Sequence, residues 1–150
     1  IMKKLLFIII IFITSCGYQP IYLKNDLKNI EFYKINTEGE SEVNSQILNS
    51  LSLKENTSNK KLAELTLSSF FKVEEISKNS KGQTETYRSS ISVVLKIIKN
   101  KNKLKNKIFS DEFTYNKKDN RFELIEYQAN IKNQLVNGII EDLILFLNIE

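Results

Sequence analysis

Few residues in this chain could do chemistry. Its 150 residues include no histidine and one cysteine, Cys16. Without an imidazole there is no Ser-His-Asp or Cys-His nucleophile and no His-bearing metal site. The glycines Gly17, Gly39, Gly82 and Gly138 are scattered, so no glycine-rich loop can cradle a phosphate. Carboxylates remain, but the adjacent Asp111 and Glu112 would point to opposite faces of a strand. The expectation is a protein that is not an enzyme, with no metal site and no cofactor. The chemistry left over is that of one thiol and of charged clusters.

Cys16 stands in "IMKKLLFIIIIFITSCGYQPIY". Lys3 and Lys4 precede nine consecutive apolar residues, 5–13. That is the length of a signal-peptide core, and well short of the roughly 20 residues a spanning helix needs. Thr14 and Ser15 then place small side chains where a leader would be cut. "ITSC" resembles the lipobox of bacterial lipoproteins, which implies cleavage before Cys16 and acylation of its thiol and new amine. A lone thiol in an oxidising compartment is otherwise a liability. Several acyl chains would hold the mature protein stably at a membrane. The plainer alternative is a small apolar cysteine that merely ends the greasy run. Gly17 occupies the position where an aspartate would act as an inner-membrane retention signal, which points to the outer membrane.

A second cluster is "KIIKNKNKLKNK", carrying Lys96, Lys99, Lys101, Lys103, Lys105 and Lys107 around an expected hairpin tip. Such cations can form charge-assisted hydrogen bonds to anionic oxygens. They can equally be a solvated loop that protects a sheet edge. Single-stranded nucleic acid would call for aromatics interleaved with the basic residues, and the run has none. Removal of residues 1–15 takes away Lys3 and Lys4, leaving 20 basic against 18 acidic residues, a net +2. The mature domain is nearly neutral, and its remaining 135 residues suit one domain with a real core.

The elements that must carry these residues are readable from periodicity. Residues 1–15 form the leader, 16–29 a linker and 30–150 a single domain. Ile30, Phe32 and Tyr33 mark a short first strand over 30–35, closed by a turn at "TEGE". In "SEVNSQILNSL", Val43, Ile47, Leu48 and Leu51 recur on one face of a helix, with Ser41 as its N-cap. After the polar break "KENTSNKK", Leu65, Leu67, Ser69, Phe71 and Val73 alternate with the residues between them, the pattern of a half-buried strand. "SKNSKGQ" links this strand to a second over 85–98, whose inner face is Tyr87, Ser89, Ile91, Val93, Leu95 and Ile97. A third covers 105–115, with Phe109, Phe113 and Tyr115 on one face and Ile108 on the other.

From Arg121 to Leu147 the period changes to three and four. Leu124, Tyr127, Ile131, Leu135, Ile139, Leu143 and Phe146 make an apolar stripe broad enough to lie on a sheet. Asn130, Lys132, Asn133, Asn137 and Glu141 form its polar side, and Gly138 suggests a close packing contact. The expected class is α+β: a two-layer sandwich, with two helices on one face of a four-stranded, mostly antiparallel sheet.

Three segments together resemble a known family. "CGYQPIY" is similar to the lipidated start of alphaproteobacterial LptE, the lipopolysaccharide-assembly lipoprotein family. "YRSSISVVLKI" resembles its arginine-bearing central strand, and "FTYNKKDNRFELIEYQANIKNQLVNGIIEDLILFL" its closing strand, polar turn and final helix. The resemblance implies an outer-membrane lipoprotein held at the periplasmic side by lipid on Cys16. It also implies that the protein plugs and helps to assemble the barrel LptD, delivering lipopolysaccharide to the cell surface. The anionic ligand would then meet Lys99, Lys101, Lys103 and Lys105, with Arg88 as an accessory. A lipid-anchored subunit of another envelope transport system is the alternative. A 135-residue plug has a compact diameter of roughly 37 Å, so its barrel must be very large, because plugged lumens occur at about 22 strands.

Overall fold

Alternation of apolar and polar residues builds a sheet with one buried face, and the two amphipathic helices cover that face. A computed structural model describes residues 30–99 and 103–148; of Lys103 and Asn148 only the backbone is described. The elements in chain order are β1 (Glu31–Phe32), β2 (Lys34–Gly39), α1 (Ser41–Ser50), β3 (Lys54–Glu55), β4 (Glu64–Lys78), β5 (Thr84–Lys99), β6 (Lys103–Asn116) and α2 (Arg121–Asn148). The main sheet has the order β2-β4-β5-β6; β1 and β3 form a separate parallel pair. This is the expected α+β class, with β4, β5 and β6 antiparallel to one another and β2 parallel to β4.

The buried core comprises Val43, Ile47 and Leu51 from α1 and its end, Leu65 and Leu67 from β4, Ile91, Val93 and Leu95 from β5, Phe109 and Tyr115 from β6, and Ile131, Leu135, Val136, Ile139, Ile140 and Leu143 from α2. Phe32 of β1 joins this core. β4, β5 and β6 contribute residues from one face of the sheet, and α2 contributes positions three or four apart, as side-chain geometry requires.

Several boundaries differ from the sequence reading. The first strand is broken at Tyr33, whose N–H bonds the Ala63 carbonyl at 2.8 Å, and it continues through "TEGE" to Gly39. "TEGE" is therefore strand, because Gly39, at φ +82°, lies directly against the Ser69 backbone. The N-cap is Glu40, not Ser41, and it makes no side-chain capping bond. Within "KENTSNKK", Lys54 and Glu55 pair with Glu31 and Phe32. β4 runs five residues beyond Val73, through a register shift near Ile76, so the connecting turn shrinks to Asn79–Gln83, closed by Asn79 N–H to the Gln83 carbonyl at 2.8 Å.

Gly138 makes no close approach. A Cβ there would meet Asp111 Oδ2 at 3.6 Å, an ordinary contact. Lys132 is not on the outer side of α2. It reaches α1, with Nζ 2.6 Å from Glu42 Oε2 and 4.0 Å from Glu40, and it lies over the Phe71 ring at 5.4 Å. Its side chain is 21% exposed, a charged clasp between the two helices and the sheet.

Candidate functional site

Cys16 and Lys101 lie outside the described residues, and of Lys103 the backbone alone is described. The remaining candidates sit on β5 and β6, where the pairing Lys96↔Asn106, Ile97↔Lys105, Ile98↔Leu104 and Lys99↔Lys103 fixes their faces. Strand alternation divides the lysines. Lys99, Lys105 and Lys107 share the side of Ile97 and Phe109, which is the helix side of the sheet, and Lys96 lies on the opposite, open side. All four are exposed.

The same alternation places Val94, Ile98, Leu104 and Ile108 on the open side. Ile98, Leu104 and Ile108 are exposed, the last two by more than 60%. With Phe70, also exposed and on the open side of β4, they form an apolar stripe that none of the described elements covers. The outer part of the β5–β6 hairpin is therefore amphipathic: Lys99, Lys105 and Lys107 on one face, the aliphatic side chains with Lys96 on the other. Alternation in the sequence already contains this division, since Ile108 alternates with Phe109 and lysines alternate with Leu104.

Arg88 does not join this cluster. It lies on β5 itself, 11 residues from Lys99, hence about 36 Å away along the strand. On the open side its guanidinium is 3.7 Å from Glu112 Oε2, while its Nε is buried without a protein partner. Next to it a shallow depression of about 570 Å³ is lined in part by Phe70, Lys72, Ser90, Ser92, Ser110 and Glu112. Asp111 and Glu112 do point to opposite sides, and Asp111 Oδ1 accepts the Glu112 N–H at 2.8 Å. Among the described residues no group of His, Cys, Asp and Glu is arranged to hold a metal ion, and no helix is long and apolar enough to cross a membrane.

The opposite end of the sheet is built differently. Tyr115 stacks on Tyr87 at 5.9 Å, meets Tyr127 edge-on at 5.6 Å, and its hydroxyl pairs with Ser89 Oγ at 3.1 Å in the interior. Lys118 Nζ covers the Tyr127 ring at 4.5 Å. These contacts anchor the start of α2.

The hydrogen bond from Lys132, and then its charge, hold the Glu42 carboxyl below the usual glutamate range. Sequence reading missed this clasp because Lys132 sits next to Ile131 on the rim of the apolar stripe, where periodicity alone cannot tell solvent from a neighbouring helix.

The fold is shared with solved bacterial lipoproteins. Rare lipoprotein B from Shewanella oneidensis superposes with a TM-score of 0.61 at 8% identity, covering 77% of this chain and 93% of that one. Uncharacterized lipoprotein B from Nitrosomonas europaea gives 0.57 at 9% identity, over 83% and 88% of the two chains. A minor lipoprotein from Acinetobacter baumannii gives 0.54 at 10%, over 76% and 89%. No family model matches the chain, and no curated protein matches it by sequence. At such identities the likeness is one of fold.

Proposed function

We propose that this chain is an envelope lipoprotein of the LptE type, anchored through acylated Cys16 on the periplasmic side of the outer membrane. There it seats in the LptD barrel as plug and assembly partner during lipopolysaccharide transport. The observation that carries this reading is the "ITSCGYQP" segment ahead of a two-layer domain whose fold is that of rare lipoprotein B. The exposed polar side of α2, with Asn130, Asn133, Asn137 and Glu141, supports it, since barrel interiors are polar.

The experiment is affinity capture of the acylated chain from detergent-solubilised envelopes, with intact-mass measurement of the captured protein. The reading expects a start at acylated Cys16 and a co-purifying large β-barrel. Recovery of an inner-membrane transport complex instead would favour the accessory-subunit alternative, and an unmodified thiol would remove the anchor. Cys16→Ala should release the protein from the membrane without unfolding it, because residue 16 precedes the packed domain.

A further inference from the structure

The parallel pairing of β2 with β4 sets both strand starts at one end of the sheet. Lys34 pairs with Glu64, Glu64 with Ile98, and Ile98 with Leu104. The chain therefore enters the domain at the same pole as the amphipathic end of the β5–β6 hairpin. Ile30, the first described residue, is held there by the Lys54 N–H, which donates to its carbonyl at 3.1 Å. Lys60 and Lys61, in the loop leading into β4, lie at this pole too. So does the C-terminal end of α2, where Phe146 meets Phe109 edge-on at 5.7 Å. From Phe109 the hairpin extends six residues further along β6, roughly 20 Å, to Lys103.

We infer that this pole docks on the anionic phospholipid leaflet that carries the protein's own acyl anchor. Val94, Ile98, Leu104 and Ile108 meet the acyl boundary, and Lys96, Lys99, Lys105 and Lys107 meet the phosphates. The inference rests on the proposed acylation of Cys16 and adds to it the face the domain turns to the membrane. Three observations carry it. The 14-residue step from Cys16 to Ile30 reaches at most about 50 Å, and it ends at this pole, so the anchor brings this end to the leaflet first. The apolar stripe has no cover among the described elements. Lys96 stands beside it on the same side of the hairpin and Lys99, Lys105 and Lys107 on the opposite side, as in interfacial segments, whose apolar face sinks into the headgroup boundary while cations of the polar face hold anionic lipid. The acids at this pole are partly engaged: Glu55 accepts the Ile35 N–H at 3.0 Å, and Glu31 accepts from Asn56 Nδ2 at 2.7 Å.

The test uses the acylated mature chain in vesicles. Acylation consumes the only native thiol, so Asn106→Cys, beside the stripe, and Ser80→Cys, at the opposite turn, each give one spin-label site. In phosphatidylglycerol-containing vesicles the label at 106 should become shielded from an aqueous nickel relaxant and open to oxygen, and the label at 80 should not. In pure phosphatidylcholine, or at high salt, the difference should shrink. Two labels per chain would show that Cys16 is free, a failure of the anchor reading that is separate from the docking result.

A second arm measures co-sedimentation of the unacylated Cys16→Ser chain with the same vesicles. Replacing Lys99, Lys105 and Lys107 together by Gln should weaken binding about 100-fold, at about fivefold per lysine, with an unchanged thermal melt. Equal exposure of both labels in both vesicle types would overturn the inference. So would shielding that needs lipopolysaccharide in the vesicle, which would return the lysines to that ligand. Shielding that appears without vesicles and grows with protein concentration would also overturn it, since a second copy would then be the occupant.

Discussion

Gly39→Ala tests the way β2 is seated, and its cost can be worked from the contacts. Gly39 ends β2 at φ +82°, and a Cβ built there would stand 1.9 Å from the Ser69 carbonyl oxygen and 3.0 Å from its carbon. Both atoms are backbone in the middle of β4 and cannot swing aside. The same oxygen accepts the Glu40 N–H at 3.0 Å, and Ser69 Oγ, fully buried, donates to the Glu40 carbonyl at 3.1 Å. Making room means drawing β2 off β4 and breaking both bonds. Each buried group left unpaired costs about 1–3 kcal/mol, and the left-handed backbone adds about 1–2 kcal/mol for any residue with a Cβ. The sum, about 3–8 kcal/mol, is comparable to the whole stability of a domain this size.

Gly82→Ala is the matched control. Its φ is +77°, but no atom lies within 4 Å of the added methyl, so only the backbone cost of about 1–2 kcal/mol applies. Gly138→Ala should go the other way, gaining about 1 kcal/mol of helix propensity, because its new methyl meets nothing closer than 3.6 Å. Urea unfolding midpoints of the three variants, in a Cys16→Ser background, give the comparison. Equal shifts for Gly39→Ala and Gly82→Ala would refute the reasoning, since the two differ only in what surrounds the methyl.

Leu135→Asp should cost several kcal/mol, since Leu135 is buried against the sheet and a carboxylate there is desolvated without a partner; a parent-like melt would mean that α2 packs elsewhere. Tyr115→Phe removes the hydroxyl that pairs with buried Ser89, and a loss of about 1–2 kcal/mol in the same unfolding assay is expected. For Lys132→Met the readout is pH. The folded pKa of Glu42 is lowered, so its contribution is present above the ordinary value of 4.5 and is lost as pH falls through the folded value. Without the Lys132 ammonium that acid-side loss should flatten, and an unchanged profile would show that the clasp does not form in solution.

Long, strongly periodic elements were legible in the sequence. β5 shows its inner face as six alternate residues from Tyr87 to Ile97, and α2 shows its stripe in seven residues from Leu124 to Phe146, because each buries enough apolar surface to force a pattern. The shortest elements were legible only in part: the first strand was readable over 30–35 but not its break at Tyr33, and β3, two residues long, is held by backbone bonds that leave no trace in side-chain type. The outer part of β4 escaped notice because it runs past the helices: Val73 is exposed, and the register shift near Ile76 breaks the alternation. Glu40 caps α1 without a side-chain bond, so residue type could not mark it, and Ser41 was the nearer chemical match.

The placement of the candidate site follows from one pairing that no local pattern encodes. The lysine run and the aliphatic residues between its members are visible in sequence, but the end of the domain at which they lie depends on the direction of β2. The short strand could have joined β4 antiparallel, like its neighbours, and residue 30 would then lie toward the Tyr87–Tyr115 end, with any anchor drawing that end to the membrane. Instead α1 carries the chain back across the sheet, as a parallel pair requires, and β2 starts beside the start of β4. Chain start, lysines and uncovered stripe are thereby gathered at one pole. Arg88, which resemblance grouped with the lysines, is left on the same strand but at a distance set by strand rise, and it pairs with Glu112 rather than with a shared ligand. An anionic headgroup bridging Arg88 and Lys99 would have to span about 36 Å, so the two cannot act on one phosphate, and loss of Arg88 should leave the salt dependence of vesicle binding untouched.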